Sequence, residues 1–320
     1  MRIVFFRRGK KRTGATIHIA RAFRFLGHRV TMYQYNRWRD WLGGALADRL
    51  LCALTRARRP DFILVWQKDI SHSLLARLGQ RHNTGVIWTE ARVETPDALY
   101  DRAKLSDLFL LSNTGRLESF RQLGVRRPVF WPQAADEWDH RPAANPPAEF
   151  GSDVAFIGKP GLPTRQALLR ELDRHFQLRI WGPAWEPLAG QFKDIQFRDA
   201  DSARFAAICS ASKVMIGSDV TNTVRHYWTN RLWLTLACGG FLATNYVPGM
   251  EDLLQNHRHL VWYNSIDECV ELVRHYLAHD EERRRVAEAG CKLVHEKHTY
   301  IQRVEELVKM IGELPAKSVS

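Results

Sequence analysis

The chain has 320 residues, 45% of them hydrophobic and 26% charged, with a formal net charge of +12. That length and apolar content suit two domains, each with its own core. No stretch approaches the roughly 20 apolar residues needed to span a bilayer. The start, MRIVFFRRGKKR, lacks the long apolar region and small-residue cleavage site of a secretory signal. The five cysteines are scattered, odd in number and without a CxxC pair, which argues against a disulfide framework or a zinc site and for reduced thiols in the cytoplasm.

The positive charge is unevenly spread. Residues 1–150 hold 26 Lys/Arg against 14 Asp/Glu, whereas residues 151–320 hold 21 of each. Two halves this different are expected to meet different partners, the basic one an anion or polyanion.

In chain order, Arg2–Arg7 reads as a first strand, followed by a basic loop, RGKKRTG, and a helix that ends at Gly27. Arg29–Tyr33 is a second strand. A helix over 41–57 leads to the strand 61–66, Ser71 is placed to cap the next helix, and Gly85–Trp88, Asp107–Leu111 and Pro128–Trp131 follow as strands. Residues 132–150 carry four prolines and little periodicity, as a linker does. The alternation then restarts: strand Asp153–Ile157, a helix capped by Thr164, strand Leu178–Trp181, helix Ser202–Ser210, strand Lys213–Ile216 and helix Asn230–Ala237. Strands Phe241–Thr244 and Leu260–Tyr263 flank a short helix, Met250–Leu254, and helices over 266–278, 281–296 and 299–312 close the chain. Strand–helix alternation of this kind predicts an α/β chain with mostly parallel sheets. The expected division is an N-terminal domain at 1–132, a linker at 133–150, a C-terminal domain at 151–298, and a terminal helix with tail at 299–320 that packs back on the first domain.

Ligands of such sheets sit beyond the carboxyl ends of the strands. Gly158 and Lys159 follow one strand, and Arg165 lies on the next helix. The stretch 221–245 places Arg225, Asn230 and Arg231 before an apolar helix that runs into Gly239, Gly240 and Phe241. Arginines at a helix start with paired glycines nearby suit a diphosphate. Tight turns and surface arginines give the same pattern without a ligand. Glu90 and Asp69 sit just past strands of the first half, where a general base would act on an acceptor hydroxyl, and Glu251 sits past a strand of the second. Arg7, Arg8, Lys10, Lys11, Arg12 and Gly14 in the first loop, with Lys68, are the candidates for holding an anionic acceptor, which leaves nucleic acid, glycan and lipid all open. Neither the DxD and HxxxH spacings nor an HExxH element gives a strong metal site. Eleven tryptophans, several beside polar groups, serve either packing or a stacking platform.

Three stretches carry a resemblance: DVAFIGKPG with Arg165 following, NRLWLTLACGGFLATNYVPGMEDLL, and HTYIQRVEEL at 298–307. Over about 150–310 they resemble the C-terminal domain of CgeB-like, spore-maturation type glycosyltransferases. The resemblance implies a GT-B architecture, two Rossmann-like domains facing each other across a cleft. It also implies a nucleotide-sugar donor, most often a UDP-sugar, held by the C-terminal domain, with no tightly bound cofactor, no metal, and retention of anomeric configuration. Gly158, Lys159, Arg165, Arg231, Gly239, Gly240 and Phe241 would edge the donor pocket, Glu251 would lie near the sugar or ribose, and His298, Tyr300 and Arg303 would brace the closing helix. Two acids of related enzymes are absent, with Leu234 and His226 at their positions. Two alternatives stand beside a general glycosyltransferase: a DNA-modifying glycosyltransferase, suggested by the N-terminal charge, and a non-catalytic binding protein of the same fold.

Overall fold

The structure, a computed structural model, describes residues 1–7, 14–90, 97–197 and 200–317. The chain forms two units, one comprising Met1–Gln133 with Tyr300–Ser320 and the other Ala134–Thr299. Divided this way the charge asymmetry widens: the first unit carries 28 Lys/Arg against 13 Asp/Glu and the second 19 against 22.

In the first unit the order is β1 (Arg2–Arg7), α1 (Ala15–Phe25), β2 (Arg29–Gln34), α2 (Tyr35–Leu42), α3 (Gly44–Ala57), β3 (Phe62–Trp66), α4 (His72–Gly79), β4 (Thr84–Trp88), α5 (Asp97–Lys104), β5 (Leu108–Leu111), α6 (Leu117–Gln122) and β6 (Pro128–Phe130). All neighbouring strands are parallel, in the order β2-β1-β3-β4-β5-β6. The runs FILVW and LFLL are continuous apolar segments because helices cover both faces of a parallel sheet. The single helix expected over 41–57 is two helices. α2 begins earlier, and Gly43 at φ 77° turns the chain between them. The sequence YNRWRDWL hides α2 because only Tyr35 of it is buried, so no apolar stripe marks it. Ser71 caps α4, accepting a hydrogen bond from the Leu74 N–H at 3.0 Å.

The second unit contains β7 (Val154–Ile157), α7 (Pro163–His175), β8 (Leu178–Trp181), β9 (Ile195–Gln196), α8 (Ser202–Ala211), β10 (Val214–Ile216), α9 (Arg231–Ala237), β11 (Leu242–Asn245), α10 (Met250–Leu253), β12 (Val261–Tyr263), α11 (Ile266–Ala278) and α12 (Asp280–Lys297). Its parallel strands run in the order β12-β11-β10-β7-β8-β9, which is the dinucleotide-fold order 6-5-4-1-2-3 when counted from β7. Thr164 does not cap α7. The cap position is Leu162, and Pro163 opens the helix, where its missing N–H costs nothing. The stretch read from sequence as a linker belongs to the second unit from Ala134 onward: Ala135 bridges to Thr299, and the Ala143 N–H donates to Ser210.

The chain's last helix, Tyr300–Gly312, lies in the first unit and packs on α1. Trp131 is buried beside it, donating its indole N–H to the Arg303 carbonyl at 2.9 Å, and Tyr300 stacks nearby with ring centroids 6.5 Å apart. Each unit has a point where the strand order reverses, between β1 and β3 in the first and between β7 and β10 in the second. Open α/β sheets bind ligands at those points, beyond the carboxyl ends. No helix among the described residues is long and apolar enough to cross a membrane.

Trp131→Phe keeps the ring's bulk and removes its hydrogen bond to the Arg303 carbonyl. It is expected to lower unfolding stability by about 1–2 kcal/mol, read as a shift in denaturant midpoint.

Candidate active site

At the β7/β10 reversal, two arginines converge on one backbone carbonyl. Arg231 opens α9. It donates from Nη1 to the Ile157 carbonyl at 2.8 Å, from Nη2 to the Ser218 carbonyl at 3.3 Å, and from Nε to Thr229 Oγ1 at 3.3 Å. Arg165, on the first turn of α7, donates from Nη2 to the same Ser218 carbonyl at 2.6 Å and from Nη1 to the Lys159 carbonyl at 3.1 Å. Both guanidiniums lie over the Phe156 ring, 5.3 and 5.6 Å from its centroid. Gly158 makes this possible, because a Cβ there would overlap the Arg231 guanidinium. Among the described residues, Asp219 supplies the nearby carboxylate. Its Oδ1 accepts from the Thr229 N–H at 2.8 Å, and its own N–H donates to Asn245 at 2.8 Å.

The charge here does not balance. Burial lowers Arg231 to about 10, the like charge of Arg165 adds to that, and Asp219 opposes it. Burial also lowers Arg165, again opposed by Asp219. The Asp219 carboxyl is raised by burial, against the Thr229 N–H and the two guanidiniums. Two cations therefore face one acid that burial makes reluctant to ionise. Unbalanced positive charge in such surroundings is costly, and an anion placed there relieves it. A small cavity lined by Ile157, Gly217, Asp219, Thr229, Arg231 and Thr244 lies at this spot, and Lys159 is exposed beside it. Arg165 Nε has no hydrogen-bond partner.

The remaining donor-side candidates separate into two groups. Arg225 pairs with Asp252 at 2.5 Å and lies 3.9 Å from Glu251. Glu251 accepts from Tyr246 Oη and from the Gly249 N–H, both at 3.1 Å. His226 sits at φ 59° with its ring packed against Gly249 and Nε2 2.9 Å from Asp252. These residues follow β10 and β11, so they share the carboxyl end of the sheet with Arg231. Asn230 precedes Arg231, and its side-chain oxygen is buried without a partner. Gly239, Gly240 and Phe241 are elsewhere. α9 runs antiparallel to the strands, so its last turn lies at their amino ends. There the Gly239 and Gly240 N–H groups bond back to Leu236 and Thr235, and Phe241 is core. The topology thus removes these three from the site; the sequence pattern misled because a helix cap and an anion cradle both use paired glycines. Leu234 packs beside the core of the second unit.

At the β1/β3 reversal of the first unit, Arg7 and Asp69 are both buried and interact electrostatically; burial lowers Arg7 and Asp69 opposes it. No motif marks a third residue beside them, Arg102 on α5. It is buried, lowered by burial and opposed by Asp69 and Tyr35. Its Nη2 donates to the Ile70 carbonyl at 2.9 Å, and its Nη1 has no partner. Lys68 is exposed at the same loop. Gly14 precedes α1 at φ 121°. Glu90 is half-buried past β4, at the same end of the sheet. Arg8, Lys10, Lys11 and Arg12 lie outside the described residues. Of the tryptophans beside polar groups, Trp88 and Trp181 are buried, the latter against Phe150 at 5.3 Å, so they pack rather than form an open platform.

Known proteins share this architecture. Residues 165–309 match the family described as Glycosyl transferase-like. HepE from Anabaena, solved with UDP and glucose, superposes with a TM-score of 0.71 over 98% of this chain and 100% of its own, at 12% identity. A glycosyltransferase from Rickettsia africae gives 0.74 at 10% identity, over 98% of each chain. A sucrose-phosphate synthase from Thermosynechococcus elongatus gives 0.72 at 12%, over 99% of this chain and 100% of its own. The fold is GT-B. No curated protein matches the chain by sequence. Most of the matched stretch lies in the second unit, which contains the two-arginine site.

Inorganic pyrophosphate at 100 times its dissociation constant is expected to stabilise the folded chain by about 2.7 kcal/mol. That appears as a rise of several degrees in unfolding temperature, and Arg165→Gln should remove most of the rise.

Proposed function

We propose that this GT-B protein is a nucleotide-sugar-dependent glycosyltransferase that moves a sugar from a UDP-sugar to a hydroxyl of an acidic acceptor. The observation that carries the proposal is the pair of guanidiniums at the β7/β10 reversal with one reluctant carboxylate. It lies within the stretch matched by the glycosyl transferase-like family, and neighbours of the same fold were solved with UDP or UDP-glucose. In the proposed reaction the acceptor oxygen forms a bond to the anomeric carbon as the bond from that carbon to the diphosphate oxygen breaks, and the acceptor's proton passes to the departing diphosphate oxygen. Arg165, Arg231 and Lys159 neutralise the charge that accumulates on the departing diphosphate. This is positive charge supplied by side chains, so the reaction is read as independent of metal and of any tightly bound cofactor. Glu251, with Tyr246 and the Gly249 N–H fixing its orientation, is placed to meet donor hydroxyls. The resemblance to CgeB-like enzymes favours retention; an inverting outcome would make Glu90 or Asp69 the base. Asp69 is held between two guanidiniums, which favours Glu90.

The acceptor side is read from the first unit. Arg7 and Arg102, buried near Asp69, favour an acceptor bearing a carboxylate or phosphate. The unpaired cysteines favour the cytoplasm as the setting.

Incubation with UDP-, GDP-, CDP- and dTDP-sugars is expected to release nucleotide diphosphate fastest from a UDP-sugar, with Arg231→Lys slowing turnover about 100-fold or more. Binding of every donor without release would turn the reading toward a non-catalytic member of the fold. NMR of the product anomer decides between retention and inversion, and Glu90→Gln is expected to abolish turnover only in the inverting case.

A further inference from the structure

The hairpin of α2 and α3 has a surface that the transferase reading does not use. Trp41, at the end of α2, is 77% exposed, and Leu46 and Leu50 on α3 are 52% and 36% exposed. α3 is apolar on two sides. Ala47, Leu51 and Cys52 face the core of the first unit, while Leu46, Leu50, Ala53 and Ala57 fall on the outward side at helical spacing. Arginines frame this outward stripe: Arg37 and Arg39 on α2, Arg49 and Arg56 on α3, all exposed, with Arg58 and Arg59 following.

Acids are nearly absent from the same surface. Asp40 is paired with Arg39 at 3.0 Å. Asp48 is buried, accepting from Tyr35 Oη at 2.9 Å, Ser71 Oγ at 2.5 Å and Ser73 Oγ at 2.8 Å. That triple anchor ties both helices to α4, so the exposed side chains stand on a rigid support.

We infer that the α2–α3 hairpin is a membrane-docking surface that seats the protein on an anionic bilayer. Trp41, Leu46 and Leu50 enter the boundary between headgroups and acyl chains, and the arginines reach outward to lipid phosphates. Tryptophan suits that depth because its ring is apolar with one polar edge. The pairing of apolar and cationic groups selects this occupant. A nucleic acid satisfies the arginines but leaves three exposed apolar side chains in water, whereas a neutral apolar protein face does the reverse. The strongly basic charge of the first unit adds long-range attraction to the same negative surface. The inference is independent of catalysis, since vesicle binding is measured with no donor present.

The full-length chain is sedimented with vesicles of phosphatidylcholine containing roughly one-third phosphatidylglycerol, and with pure phosphatidylcholine, at low and high salt. Binding to the anionic vesicles at low salt, weakened by high salt and absent on pure phosphatidylcholine, is the expected result. Trp41→Ser with Leu46→Ser and Leu50→Ser should weaken that binding about tenfold or more, as should Arg37→Gln with Arg49→Gln and Arg56→Gln, both at unchanged unfolding temperature. As a check that needs no disruptive change, anionic vesicles should shift wild-type tryptophan emission to the blue, and Trp41→Phe should remove most of that shift. The inference is overturned if wild type fails to sediment with anionic vesicles at low salt, or if the triple serine variant binds as well as wild type. A wild-type dimer that Trp41→Ser converts to monomer would reassign the patch to self-association.

Discussion

Two arginines, Arg165 buried and Arg231 half-buried, sharing one carbonyl set the terms for the second unit. Arg165 comes from α7 and Arg231 from α9, and both end on the Ser218 oxygen above the Phe156 ring. Their donors spent on backbone oxygens lock the loops after β7 and β10 together. Their charges, opposed among the described residues by Asp219, remain incompletely compensated. The same groups thus brace the carboxyl edge of the sheet and create its demand for an anion. Removing either would loosen the loops as well as the charge, so binding and stability are coupled at this point.

The first unit repeats the arrangement in another register. Arg7 and Arg102 face Asp69 at the strand-order reversal, again two guanidiniums to one buried carboxylate. These two clusters are what the proposed donor and acceptor roles rest on. The outward arginines of α2 and α3 form a third basic surface, and there the accompanying side chains are apolar and exposed.

Much of this was legible in the sequence. β3 and β5 fall within the bounds that their apolar runs predict, because a strand covered on both faces must be apolar throughout. Arg165, Arg231 and Glu251 stood out as polar groups at the carboxyl edges of strands. Asp219 did not. It lies in a short Gly-Ser-Asp segment after β10 that has no motif, and it matters only because β10 neighbours β7. Arg102 was invisible for the same reason, lying 33 residues beyond Asp69 on a helix with little apolar pattern. α2 was missed because it buries a single side chain.

By itself the sequence determined the α/β alternation, the uneven charge and the residue types available for gripping a diphosphate. These follow from local periodicity and composition, which need no knowledge of neighbours. Tertiary structure decided which candidates meet. Gly239 and Gly240 are separated from Arg231 by only one short helix in sequence, yet that helix carries them to the other end of the sheet. Arg165 and Arg231 are far apart in sequence, yet share an acceptor atom. The physical reason is strand order: parallel crossovers place β7 beside β10, and no local signal in either strand records that adjacency.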